Sequence, residues 1–155
     1  MEFQDWLGKK YTLPKNKAVY WRPSAYGLII KNNQTLLIQS KIHGLWELPG
    51  GGIELNETML EALHREIYEE TGHKISVLDK HPLYIEDNYF YAPESDKYYK
   101  SIPIVFLAKP KGNNKNAEPI YKQEISKMKW FDIDKLPKEI NHITVRAIKK
   151  YLKDK

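Results

Sequence analysis

Residues 51–72 read GGIELNETMLEALHREIYEETG. Within this stretch Gly51, Glu57, Arg65, Glu66, Glu69, Glu70 and Gly72 fall at spacings that an ordinary amphipathic helix does not require. If each residue type fills roughly one position in fifteen, matching all of them at a given start happens by chance on the order of once in 10^8. Pro49 leads into the consecutive glycines Gly50, Gly51 and Gly52, which permit positive φ and let bare backbone approach a ligand. Asn56, Glu57 and Thr58 read as a helix start and Gly72 as its stop, so a helix is predicted over about residues 57 to 71.

On that helix Leu60, Leu63 and Ile67 form one apolar stripe suited to packing on a sheet, with Glu66, Glu69 and Glu70 beside it. Like charges at these spacings cost about 0.2–0.5 kcal/mol per pair on a plain helix, so a compensating cation is expected. From residue 54 to residue 73 six acids face the single base Arg65, a net charge of −5. Hard divalent cations take oxygen ligands, and Mg²⁺ in particular is held by a few carboxylates together with waters and substrate phosphates. A glutamate cluster beside a glycine loop meets that demand better than a solvated acidic face does.

These residues resemble the Nudix box, GX5EX7REUXEEXGU with U an aliphatic residue, and Leu48-Pro49-Gly50 resembles that family's usual lead-in. Every identity position is present, Ile67 is the inner aliphatic residue, and His73 stands at the last aliphatic position. The resemblance implies an α/β fold, an α/β/α sandwich with a mixed sheet between helices. It also implies hydrolysis of a nucleoside diphosphate linked to another moiety, with water attacking phosphorus and Mg²⁺ or Mn²⁺ as cofactor. Glu66, Glu69 and Glu70 are then the metal ligands or the base, and the Gly50 carbonyl is a further candidate ligand. Glu66 is the first choice of base, with Arg65 and Glu57 as orienting or ion-pairing groups. Many members recruit a glutamate outside the box, and Glu124 occupies a similar place.

The 155 residues and 41% hydrophobic content are those of one domain, expected over residues 1–155. The chain contains no cysteine, which excludes disulfides and thiolate metal sites. The start MEFQDWLGKK has no apolar signal-peptide core, and no stretch approaches the roughly 20 apolar residues of a membrane span, so a cytoplasmic protein without a membrane partner is expected. Outside the acidic segment 24 basic residues meet 14 acidic ones, a net +10. An acidic metal site within a basic chain suits a metal-bound small-molecule nucleotide, and scattered lysines account for most of the excess without a nucleic-acid partner.

Strands are expected at Tyr26 to Lys31 and Thr35 to Gln39, joined at Asn32, Asn33 and Gln34, and at Trp46 to Leu48, Ile75 to Leu78, Leu83 to Phe90, Ile102 to Ala108 and Lys127 to Phe131. A final helix, roughly Asn141 to Leu152, is expected to bury Ile143, Ala147, Ile148, Tyr151 and Leu152. The polar segment Lys109 to Lys122 reads either as a lid bearing Lys111 and Lys115 or as a plain connection.

For the substrate, Arg22 is a candidate phosphate contact, and Tyr89 and Tyr91 are candidate base-stacking residues. These tyrosines stand 16 and 18 residues beyond His73, a spacing similar to the tyrosine that marks diadenosine polyphosphate hydrolases. The SQPWPxPxS array of NADH pyrophosphatases is absent, as is the proline that ADP-ribose hydrolases carry about 15 residues past the box. Pro49-Gly50-Gly51 departs from the Pro-Gln-Gly of bacterial RNA pyrophosphohydrolases. A nucleoside triphosphate or dinucleoside polyphosphate substrate is favoured; the alternatives are a non-catalytic nucleotide-binding regulatory module and an RNA 5′-end pyrophosphohydrolase.

Overall fold

The computed structural model describes residues 1–155. In chain order its elements are β1 (Glu2–Gln4), β2 (Lys10–Thr12), β3 (Val19–Lys31), β4 (Gln34–Ser40), β5 (Trp46–Glu47), β6 (Gly50–Gly52), α1 (Met59–Thr71), β7 (Ile75–Val77), β8 (Tyr84–Ile85), β9 (Asn88–Ala92), β10 (Lys97–Pro110), β11 (Ile125–Asp132) and α2 (His142–Asp154). The long strands β3 and β10 run parallel in continuous register, from Val19 opposite Tyr98 to Ile29 opposite Ala108. Around them the sheet order is β11-β4-β3-β10-β9-β1-β2, with β5 on β4, β6 on β3, and β7 and β8 on β10. The sheet is mixed, because β9 and β4 meet their long neighbours antiparallel.

Successive residues of a strand point to opposite faces, and the apolar runs of β3, β4 and β10 feed a core on each side. On one face Ile29, Leu36 and Phe106 pack with Ala62, Leu63 and Ile67 of α1. On the other Leu28, Leu37 and Val105 pack with Ala147 and Ile148 of α2. Each of the Leu, Ile, Val and Phe side chains among these contributes about 1.5–3 kcal/mol by leaving water, which makes the two helices the outer layers of an α/β/α sandwich. Gly27 sets how closely α1 approaches, since a Cβ there would stand 2.6 Å from Ile67 Cδ1.

The β3–β4 turn follows its expected chemistry. Asn32 and Asn33 adopt φ of 51° and 61°, the positive pair that a two-residue type I′ hairpin needs. Thr58 caps α1, its hydroxyl accepting from the Glu61 amide while the Glu61 carboxylate accepts from the Thr58 amide. This capping box starts the helix at Met59, two residues later than the sequence suggested, and leaves Glu57 in the preceding turn. At the other end Gly72 sits at φ 70° and donates its amide to the Tyr68 carbonyl at 2.8 Å.

Several expectations are corrected. The extended run Leu83 to Phe90 is broken at Glu86 and Asp87 into β8 and β9, with the Glu86 amide donating to Pro103 O at the break. Leu60 is only partly buried and Leu152 is exposed, while Ala62 and Thr144 take the interior positions. His73 is buried, filling the place of an aliphatic residue under Trp130, with Nδ1 3.0 Å from the Thr71 carbonyl oxygen. The segment after β10 is tied down rather than free. The Lys111 amide donates to Lys74 O at 2.9 Å, and the Ile120 and Tyr121 amides both donate to Glu69 O, at 2.8 and 3.1 Å. Lys111 and Lys115 line a separate polar hollow beside Tyr68 and Gly72. No helix is long and apolar enough to cross a membrane.

A Cβ at Gly72 would meet the Glu118 backbone, 2.7 Å from its nitrogen, and the left-handed φ adds strain for any other residue. Gly72→Ala is therefore expected to lower stability by roughly 2 kcal/mol and the melting temperature by about 5 °C. Differential scanning calorimetry reads this, and a shift below about 1 °C would contradict the turn described.

Candidate active site

The glycine run is the strand β6, lying between β3 and α1. It pairs antiparallel with β3, Gly50 opposite Tyr26 and Gly52 opposite Ser24. Gly50 has φ 150°, and a Cβ on it would stand 2.6 Å from Tyr26 Cα; a Cβ on Gly51 would stand 2.7 Å from Glu66 Cδ. No side chain fits at Gly50, and one at Gly51 would displace the Glu66 carboxylate. What the glycines gain is contact between sheet backbone and helix carboxylates: the Gly50 amide donates to Glu70 Oε1 at 2.6 Å, and Arg65 Nη2 donates to the Gly52 carbonyl at 3.1 Å.

Arg65 is the hub of the acidic segment. Its Nε and Nη2 grip Glu57 bidentately at 2.9 and 2.6 Å, and Nη1 donates to Glu66 at 2.9 Å and to Glu69 at 3.2 Å. One guanidinium thus hydrogen-bonds three carboxylates while offsetting one unit of their charge, because its planar fork presents five N–H groups in fixed directions. The Arg65 hydrogen bonds, helped by the Glu54 amide, hold the Glu57 carboxyl down from 4.5 to about 2. Arg65 is itself pushed up, chiefly by Glu57.

The sequence placed Glu66, Glu69 and Glu70 on one metal face; the structure divides them. Glu66 and Glu69 turn to Arg65, while Glu70 turns to the sheet, where the Gly50 amide is its hydrogen-bond donor. No three His, Asp or Glu side chains are gathered around a common point where an ion would sit. Burial pushes the Glu70 carboxyl well above the usual range, against the pull of the Gly50 amide and reinforced by Glu47, Glu66 and Glu124. Burial likewise raises Glu66, opposed by Arg65. The donor chemistry, though not a closed set of ligands, is that of a hard divalent ion: all-oxygen donors, and a desolvated carboxylate near others of like charge. Glu124 stands just before β11, and its carbonyl accepts from the Lys41 amide at 2.9 Å.

Beside this cluster lies a cavity of about 290 Å³, walled by the β1 segment, β9, β10 and the start of α2. Arg22, Tyr26 and Glu47 line its inner end, while Glu57, Glu66, Glu69, Glu70 and Glu124 do not line it. Of the residues expected to touch substrate, Arg22 and Tyr89 line the cavity. Tyr91 does not: its hydroxyl donates to Asp96 and its ring packs between Tyr11 and Tyr98, at 4.4 and 4.6 Å between centroids. Phe90 and Trp6 supply the aromatic wall instead, 4.2 Å apart. Glu47, Trp6 and Asn88 were missed; Glu47 sits in the apolar lead-in Trp46-Glu47-Leu48, where a charge flanked by large apolar residues is the available signal.

The family model described as the NUDIX domain matches residues 21–151 of this chain. A protein of Methanocaldococcus jannaschii named ADP-ribose pyrophosphatase is 35% identical over 133 residues, covering 84% of this chain and 70% of that protein. A putative ADP-ribose pyrophosphatase of Bacillus subtilis is 30% identical over 139 residues, covering 85% of this chain and 57% of its own length. In three dimensions the chain is similar to a MutT NUDIX hydrolase from Burkholderia pseudomallei, with TM-score 0.67 and 26% identity, covering 84% of this chain and 97% of that one.

Glu57 has a depressed folded-state pKa, so its pairing with Arg65 stabilises the fold above about pH 4.5 and is lost as pH falls toward about 2. In urea titrations at successive pH values, Glu57→Gln is expected to be less stable than the unsubstituted protein at neutral pH, with the two midpoints converging at the acid end. A gap that stays constant with pH would rule out the ion pair as its cause.

Proposed function

The chain belongs to the Nudix hydrolase family, and on that premise we propose that it is a metal-dependent pyrophosphohydrolase cleaving a nucleoside diphosphate linked to another moiety. The observation that carries this reading is the joining of β6 to α1, which holds two desolvated glutamates against bare backbone with an arginine hub alongside. The overall reaction adds water across a P–O–P bridge and yields a nucleoside phosphate and a phosphorylated remainder. We read the chain as a single domain over residues 1–155.

Glu66, Glu69, Glu70, Glu124 and the Gly50 carbonyl are the groups we assign to hold Mg²⁺ or Mn²⁺. When bound, the ion supplies charge neutralisation on the diphosphate oxygens. Glu66 is the proton acceptor of choice: burial raises its affinity for a proton, and Arg65 fixes one oxygen while leaving the other oxygen to take a proton from the attacking water. Arg65 and Glu57 hold that carboxylate in place. Arg22, at the inner end of the cavity, is a counter-charge for the phosphate that stays with the nucleoside.

Two relatives carry the name ADP-ribose pyrophosphatase, so ADP-ribose stands beside nucleoside triphosphates and dinucleoside polyphosphates in the substrate panel, despite the missing proline. Incubation of these and of 5′-triphosphorylated RNA with Mg²⁺ or Mn²⁺, with products identified, names both the nucleotide and the bond; inertness across the panel would sink the reading. Glu70→Gln is expected to lower turnover by on the order of 10²–10³-fold. Without metal the same variant should unfold at or above the midpoint of the unsubstituted protein, because a buried charge has been removed. Mg²⁺ should raise the midpoint of the unsubstituted protein and leave that of Glu70→Gln unmoved.

A further inference from the structure

The first residues of the chain precede the matched family segment, which begins at residue 21, yet they build one wall of the cavity. β1 pairs in parallel with β9, Gln4 opposite Phe90, and is backed by β2. Phe3 anchors it: fully buried, its ring meets Tyr89 and Tyr98 edge-on at 5.2 and 5.0 Å. Because side chains alternate along a strand, burying Phe3 turns Gln4 to the opposite face, and Trp6 follows against the Phe90 ring. Trp6 is fixed in turn by His43, 4.4 Å between centroids, and by Nε1 donating to Glu94 at 3.2 Å.

Across the floor runs a row of polar side chains set by strand register. Arg22 of β3 is opposite Ser101 of β10, and Ser101 is opposite Asn88 of β9; all three line the cavity, and Gln4, which is opposite Phe90 two residues along from Asn88, lines it from the next strand. Three of the four acids lining the cavity are engaged: Glu86 accepts from Tyr84 and Arg146, Asp5 from Leu7, Lys9 and Tyr11, and Glu2 pairs with Lys10, while Glu47 lies 3.5 Å from His43 Nε2. The side chains of Gln4, Asn88 and Ser101 have no partner within the protein and are left facing the cavity. At the inner end, Arg22 Nη1 lies 3.9 Å from where a Cβ on Gly52 would stand, next to the acidic cluster. Two strand spacings of about 4.8 Å put Asn88 about 10 Å from Arg22, and Gln4 stands one strand further out and one same-face position along.

We propose that Arg22, Ser101, Asn88 and Gln4, bordered beside Gln4 by the Phe90 ring and the Trp6 ring packed on it, form the floor that recognises the nucleoside half of the substrate. The order of chemistry along it is that of a nucleotide: a cation for the phosphates at Arg22, neutral donors and acceptors for ribose hydroxyls and base edge at Ser101, Asn88 and Gln4, and aromatic faces for the base at Trp6 and Phe90. The inference rests on the reading of the site as one for nucleoside diphosphate derivatives, and it makes Trp6, Gln4, Asn88 and Ser101 specificity-determining residues. Its substrate is a single nucleotide unit bearing a terminal moiety.

Calorimetric titration without divalent ion tests it, using AMP, GMP, CMP and UMP as probes and inorganic pyrophosphate as control. At least one nucleoside monophosphate is expected to bind, and Asn88→Ala and Trp6→Ala should each weaken that binding about tenfold. Neither substitution should change the affinity for pyrophosphate, whereas Arg22→Ala should weaken both kinds of probe. Hydrogen exchange of the β1 amides checks that the hairpin is still docked in Trp6→Ala; if it is not, Asn88→Ala decides. No binding of any of the four nucleotides, or affinities within twofold of the unsubstituted protein in a docked variant, would overturn the inference. Such a result would leave hydrolysis untouched, because hydrolysis is read separately from products formed with metal.

Discussion

β6 passes between β3 and α1 with glycine at all three of its positions, and the rest of the site depends on that missing bulk. Without side chains the strand lets Glu66 lie against Gly51 and lets Glu70 reach the Gly50 amide. Arg65 then closes the join through the Gly52 carbonyl. Gly27 repeats the arrangement one strand in, where Ile67 fills the space a Cβ would take. A helix held at ordinary sheet–helix distance would keep its carboxylates a side chain away from the backbone. Here the close approach and the carboxylate–backbone contacts share one cause.

The acid cluster holds an internal tension. Arg65 serves Glu57, Glu66 and Glu69 at once, so the carboxylates of the outer part of the acidic segment share one cation of the same helix. Glu70 lies on the inner side, desolvated and near Glu47, Glu66 and Glu124. A carboxylate so placed is costly to charge, and the fold tolerates it because a neutral amide satisfies one oxygen. The difference between an outer group that shares a cation and an inner one that has none bonded to it is what a net charge of −5 over residues 54 to 73 concealed.

Much of this was legible in the sequence because it was local. The box helix, its glycine stop, the Asn32-Asn33 turn and the apolar runs of β3 and β10 all follow from neighbours a few residues apart. The division of the three glutamates was not, since helical spacing gives an angle around the axis and not the identity of the amide facing it. β1 was unreadable for a similar reason: Glu2-Phe3-Gln4 has no period long enough to detect, and Phe3 is buried only because Tyr89 and Tyr98 receive it. The segment after β10 looked free because its bonds run back to Lys74 and Glu69, far away in the chain. Tyr91 shows the converse, a residue with the right spacing whose hydroxyl and ring are already engaged by Asp96, Tyr11 and Tyr98.

The parallel ladder of β3 and β10 has a consequence for how the molecule assembles. Joining Val19 to Tyr98 closes a loop of 79 residues, whereas β3, β4, β6 and α1 all lie between residues 19 and 71. Loop entropy and contact order therefore favour the shorter unit first, with glycine strand and acidic helix joined inside it, and put the ladder with β10 later. The cavity wall comes later still, because β1 needs β9 in place before Phe3 has anywhere to go. Topology thus separates in time the acidic join of β6 and α1 from the cavity wall beside it.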